Sequence, residues 1–237
     1  MESKLNKIRD SIRKNCKLFD KEYSAIYILA VSKTFPPEKI EEALSLGIVN
    51  FGENYVSEAI NKIQFLSKKK DMRELNWHFI GPIQGNKTKL ISEHFDWVHS
   101  VESEKHARRL SEQRPISKGK LNICVQINLS QEKSKSGISP EETENFFQVL
   151  KKYQNLKLRG LMTIPEKTNN KDLTHYRYQT LKQIKRNINS TVMKDSPLDT
   201  LSMGMSNDFE IAVSEADETG ITLLRIGSAI FGERTKI

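Results

Sequence analysis

Cysteine is scarce in this sequence. Cys16 and Cys124 are the only two among 237 residues, and the second lies inside the apolar run NICVQINL (122–129). Two distant thiols, one of them in a core-like strand, exclude a disulfide framework and offer no metal-ligand spacing. Long hydrophobic runs are also missing: none approaches the roughly 18–20 residues that a membrane span requires, and the mean hydropathy is −0.57. The opening segment MESKLNKIRDSIRKN is a charged amphipathic pattern without an apolar leader core, so a cytoplasmic protein is expected. His94, His99, His106 and His175 show no ligand spacing with carboxylates, so no metal is expected. Charge of one sign is in excess, at +8, yet the lysines are scattered among glutamates and the densest cluster, SKKKD (67–71), reads as a loop. Basic patches interleaved with aromatics are absent, which argues against nucleic acid as a partner. A small phosphorylated ligand would need only a local site.

What is present is a repeating alternation. Short β-rich apolar runs start near Tyr27, Asn50, Trp77, Trp97, Leu121, Leu156, Thr200 and Leu223, and helical patterns lie between them. PEKIEEALSLG (37–47) places Ile40, Ala43 and Leu44 on one face with Gly47 as a C-cap signal, and SPEETENFFQVLKKY (139–153) opens on a capping box. The strand starts recur about every 28 residues, the length of one β/α unit, and eight such units predict a single-domain (β/α)8 barrel. An open doubly wound sheet is the rival. The expected organisation is one domain over 1–237, with an additional N-terminal helix within 1–23 packed outside or under a barrel spanning 27–232.

In such barrels the chemistry gathers at the carboxyl ends of the strands, and phosphates bind after the seventh and eighth. In ILAVSKTFPPEKIEEAL (28–44), Lys33 ends the first strand: a solvated terminus, or an amine aimed into a site. After the seventh strand, Ser206 stands where a helix N-cap is expected. In the eighth, alternation puts Arg225 on the face shared by Leu223 and Gly227, and Gly227 and Ser228 follow as potential phosphate donors. An inward arginine with no adjacent acid needs a partner. A closed barrel makes strands one and eight neighbours, so an amine, an anion cradle and a buried cation converge on one mouth. That set suits pyridoxal 5′-phosphate (PLP), whose aldehyde condenses with lysine and whose phosphate needs N–H and hydroxyl donors.

Other residues carry weaker expectations. His78 is expected to have a structural or ring-lining role rather than to act as a general base, and Met203 and Met205 to pack the barrel. Lys133 and Lys135, in SQEKSKSG (130–137), read as a solvated loop, with contact to a second anion as the alternative. Tyr55 is the residue to inspect as a second acid/base.

The motifs AVSKT (30–34), FGENYVSE (51–58), WHFIGPIQGNK (77–87), INLSQEKSKSG (127–137), RGLMTI (159–164), LSMGMSNDFEIAV (201–213) and RIGSAIFGER (225–234) together resemble the pyridoxal phosphate homeostasis protein family, also called YggS/PROSC. The likeness spans nearly the whole chain in order and is weakest over 165–196 and the tail. It implies a fold like the N-terminal barrel of alanine racemase, with PLP held as a Schiff base on Lys33. It also implies phosphate contacts from Ser206, Gly227 and Ser228, Arg225 at the pyridine nitrogen, and Asn54 beside the ring. The implied role is vitamin B6 homeostasis by buffering or delivering PLP without established turnover or catalytic residues, with PLP-dependent apo-enzymes as candidate recipients. Three alternatives stand beside it: a weak amino-acid racemase of the alanine racemase type, an aldolase-like barrel using Lys33 on a sugar phosphate, and a basic interaction protein. A monomer is expected, because the second domain that pairs alanine racemase subunits has no counterpart in the pattern.

Overall fold

The computed structural model describes residues 1–69, 75–130 and 136–233. Its centre is a closed barrel of eight parallel strands in sequential order. They are β1 (Ile26–Val31), β2 (Asn50–Glu53), β3 (Asn76–Phe79), β4 (Trp97–Val101), β5 (Leu121–Gln126), β6 (Leu156–Met162), β7 (Thr200–Met205) and β8 (Ile221–Ile226). Pairing of Leu29 with Arg225 and of Ala30 with Ile226 closes β1 against β8. The barrel expectation therefore holds, and the rival open sheet is excluded.

The helices follow from the same local signals. After α1 (Glu2–Leu18), α2 (Pro37–Ser45) starts on a proline at its first turn. It is followed by Gly47 at φ +83°, a backbone state that a glycine adopts without strain. The crossover helices continue as α3 (Val56–Ser67), α4 (Thr88–His94), α5 (Glu104–Glu112), α6 (Thr143–Leu150) and α7 (Lys171–Ser190). The Ser139–Glu142 capping box is present, although it opens a single 3₁₀ turn that runs into α6. Two short helices, α8 (Phe209–Ser214) and α9 (Ser228–Phe231), complete the ring. No helix among the described residues is long and apolar enough to cross a membrane.

Helix α1 lies outside the barrel rather than under it. Leu5, Ile8, Ile12 and Cys16 form its buried stripe, and the helix packs against α8 and α9. The large apolar layer sits between sheet and helices. Inside the barrel, Trp97, Cys124, Met162 and Leu223 form a separate apolar cluster, so this part of the interior is filled by side chains.

Candidate functional site

A cavity of about 830 Å³ opens at the carboxyl ends of the strands. Lys33, Asn54, Ser206, Arg225, Gly227 and Ser228 all line it, so the structure brings together every site residue expected from sequence. A smaller cavity of about 390 Å³ shares Asn54, Ile80 and the 164–167 segment with it.

Lys33 sits in a turn whose backbone is held on both sides. Phe35 N–H donates to the Ser32 carbonyl at 3.1 Å, closing the turn. Thr34 lies at φ +67°, an unusual state for a β-branched residue and one that strains the chain next to the lysine. The neighbouring groups over-determine it: Lys62 Nζ donates to the Ser32 carbonyl at 2.8 Å and to Glu53 Oε1 at 2.7 Å. The Ser32 hydroxyl donates to the same Glu53 oxygen at 2.7 Å, and Glu58 Oε1 accepts the Thr34 N–H at 2.6 Å. Burial pushes the Glu53 carboxyl above its ordinary range, opposed by the Lys62 charge and its hydrogen bond.

Arg225 is buried and faces the barrel interior, as alternation predicts. Its Nη1 donates to the Ser202 hydroxyl at 2.8 Å and its Nη2 to the Thr163 carbonyl at 2.7 Å. These use two of the five guanidinium N–H donors. No carboxylate pairs with Arg225 among the described residues. Burial therefore lowers its affinity for a proton, opposed by the fields of Tyr178, Asp208 and Cys124.

The contact with Ser202 depends on a register shift: Ser202 pairs with Leu223 but Met205 pairs with Arg225, so β7 carries one extra residue. Gly204 at φ +80° lies in that bulge, where a Cβ would approach Ala212 Cβ at 2.5 Å.

One sequence expectation changes here. Ser206 does not cap α8. Asp208 occupies that position, and its side chain instead accepts the Met205 N–H and the Tyr178 hydroxyl. Ser206 Oγ lies 3.5 Å from the Ala229 N–H at the start of α9, so it bridges the two loops that a phosphate would meet. Tyr55 is 56% exposed and is absent from the cavity wall. His78 does not line the cavity either; it is buried inside the barrel, stacked on Trp97 with ring centroids 5.3 Å apart, a structural position. Lys133 and Lys135 lie outside the described residues. Sequence reasoning did not single out Ser202, Thr163, Tyr178 or Asp208; the only available signal was the pair of hydroxyl residues, Thr200 and Ser202, in the otherwise apolar β7.

The fit of the site to PLP rests on groups that the protein itself leaves open. Asn54 Oδ1 is buried beside the cavity without a hydrogen-bond partner, Arg225 retains donors, and Ser206 and Ser228 both line the cavity from the segments that follow β7 and β8. A lysine, a cation and a hydroxyl-rich cradle match an aldehyde, a ring nitrogen and a phosphate.

The fold and cavity define a barrel of the alanine racemase N-terminal domain type, and the chain belongs to that family, matching it over residues 9–235. Within it, the chain is 46% identical over 211 residues to the pyridoxal phosphate homeostasis protein of Vibrio cholerae, covering 89% of this chain and 86% of that one. It is 45% identical over 228 residues to the protein of the same name from Pseudomonas aeruginosa (96% and 93%). PipY of Synechococcus elongatus, solved with PLP bound, superposes with a TM-score of 0.80 at 32% identity, covering 94% of this chain and 100% of that one. An alanine racemase of Clostridium difficile shares the fold at 16% identity and a TM-score of 0.70, with 58% of its own length covered.

Proposed function

We propose that this chain binds PLP reversibly in the 830 Å³ cavity and serves vitamin B6 homeostasis, buffering a reactive aldehyde and passing it to apo-enzymes in the cytoplasm. The carrying observation is the convergence of Lys33, Asn54, Ser206, Arg225, Gly227 and Ser228 on one wall of that cavity. The PLP-bound PipY structure and the names of the relatives support the reading. In it, Lys33 supplies the amine for a Schiff base, the Ser206 and Ser228 hydroxyls and the backbone at Gly227 seat the phosphate, and Asn54 flanks the ring. When bound, PLP supplies an aldehyde and an electron-accepting ring.

Arg225 decides how strongly that ring draws electrons. A guanidinium keeps its proton, so at the pyridine nitrogen Arg225 would donate a hydrogen bond without protonating the ring. The site therefore favours holding over aminotransferase-type chemistry. Racemisation needs a second acid/base opposite the lysine, and Tyr55, the candidate weighed for that role, does not line the cavity. A monomer accords with this carrier role.

The test is an absorbance spectrum with added PLP, then borohydride reduction and peptide mass analysis, with Lys33→Ala in parallel. The expected adduct maps to Lys33 and is lost in Lys33→Ala. Adducts spread over surface lysines and persisting in the variant would overturn the assignment, and rapid racemisation of an amino acid would replace the carrier role with an enzymatic one.

A further inference from the structure

A line of polar side chains crosses the barrel interior beneath Arg225. The Ser202 hydroxyl lies 2.8 Å from His99 Nδ1, His99 Nε2 lies 2.9 Å from His78 Nδ1, and His78 Nε2 lies 3.2 Å from Asn50 Oδ1. Asn50, at the amino end of β2, is half-buried, while His78, His99 and Ser202 are essentially without solvent contact. The chain thus runs from beneath Arg225, which lines the cavity, to the amino end of β2.

Its direction is fixed by its two ends. Arg225 Nη1 can only donate, so Ser202 Oγ accepts that bond and its O–H is free to donate to His99 Nδ1. The Asn50 carbonyl can only accept, so His78 Nε2 carries a proton, His78 Nδ1 is an acceptor, and His99 Nε2 carries the proton between the rings. Ser202, His99 and His78 then each donate once and accept once along the chain, which ends on the Asn50 acceptor. Reversal would make Ser202 accept from both Arg225 and His99, leaving its hydroxyl proton without an acceptor among the described contacts. Both imidazoles stay neutral: burial pushes His78 down to about 3 and His99 well below its ordinary value, with the Arg159 charge adding to the first and the neighbouring His78 and Arg225 to the second.

We propose that Asn50, His78, His99 and Ser202 form a one-way hydrogen-bonded chain that points its acceptor end at Arg225, fixing the guanidinium in the orientation that meets the ligand's ring nitrogen. Aligned dipoles ending in an oxygen lone pair stabilise a buried cation that has no carboxylate partner among the described residues. His99 and His78 are positioning residues, acting through Ser202. This inference rests on the PLP-binding reading, although the proton pattern itself does not depend on it.

The test begins on the ligand-free protein, with nitrogen NMR of labelled histidines at pH 7. His78 and His99 are expected as neutral rings protonated at Nε2; either ring protonated at Nδ1, or at both nitrogens, overturns the chain. PLP titrations then compare the wild type with His99→Phe, which ends the chain, and His99→Gln, whose amide can accept from Ser202 and donate to His78. The expected dissociation constant rises about tenfold or more in His99→Phe, the scale of a hydrogen bond to a charged group. It should return to within about threefold of wild type in His99→Gln by the same relation.

If folded His99→Phe binds as wild type does, or His99→Gln is as weak as His99→Phe, the positioning role fails. Should His99→Phe not fold, Ser202→Ala deletes the same link by one hydroxyl, with the same weakening expected and wild-type binding refuting it. A wild type that forms no Lys33 adduct overturns the proposed function itself, a result separable from the NMR outcome.

Discussion

Lys62→Met tests the clamp behind Lys33. Lys62 and Glu53 are 5% and 0% exposed as side chains, and Lys62 Nζ serves the Ser32 carbonyl, Glu53 and Glu58 together. Methionine keeps the apolar stem and removes the charge. Glu53 would then keep only the Ser32 hydroxyl on Oε1, while Oε2 has no partner even in the intact protein. Stranding one member of a buried pair costs about 3–5 kcal/mol, which corresponds to a fall in Tm of about 6–20 °C for a chain of this size.

The pH dependence has a definite sign. Burial holds the folded Glu53 carboxyl above its ordinary value, and losing Lys62 raises it further. A group raised on folding contributes stability that is fully present below the unfolded pKa of about 4.3 and is lost as pH rises through the folded value. Lys62→Met should therefore be less destabilised at pH 5 than at pH 8. Adding Glu53→Gln, which removes the stranded charge, should recover much of the loss. Urea unfolding followed by Trp77 and Trp97 fluorescence measures all three. A loss below about 1 kcal/mol, the range of a surface pair, or equal losses at both pH values, would refute the argument.

Thr34→Gly should stabilise the fold by roughly 1 kcal/mol or slightly more in the same assay, because it relieves a positive φ at a β-branched residue. An unchanged or lower stability would show that the turn is not strained. Gly160→Ala should prevent soluble expression or lower Tm severely, since its Cβ would lie 1.7 Å from the Thr200 carbonyl oxygen; a wild-type melt would refute it. Neither cysteine should react with iodoacetamide at pH 8 in the native state, and both should in urea. Cys16 and Cys124 are buried, and burial pushes the Cys124 thiol up to about 12.

Much of the molecule was legible from local pattern. Strand starts expected at Asn50, Trp97, Leu121, Leu156 and Thr200 coincide with the observed ones, and Tyr27, Trp77 and Leu223 fall within two residues of them. Alternation alone sent Arg225 inward. It could not place Ser202 against Arg225, because the bulge at Gly204 breaks the two-residue period between them. Ser206 was misassigned for a related reason: a serine before a helical pattern satisfies the cap rule, but Asp208 is nearer the true start of α8 and its carboxylate already accepts the Met205 N–H.

By itself the sequence determined the elements, their parallel order and the strand ends that carry the chemistry, since hydrophobic period, caps and unit length are properties of neighbours along the chain. Tertiary structure decided what those ends touch. The clamp from Lys62 reaches 30 residues back to Ser32, and the contact from His99 to Ser202 spans 103. Such pairings arise only when the barrel closes and excludes water, which gives an isolated histidine, serine or lysine a partner that no local pattern encodes.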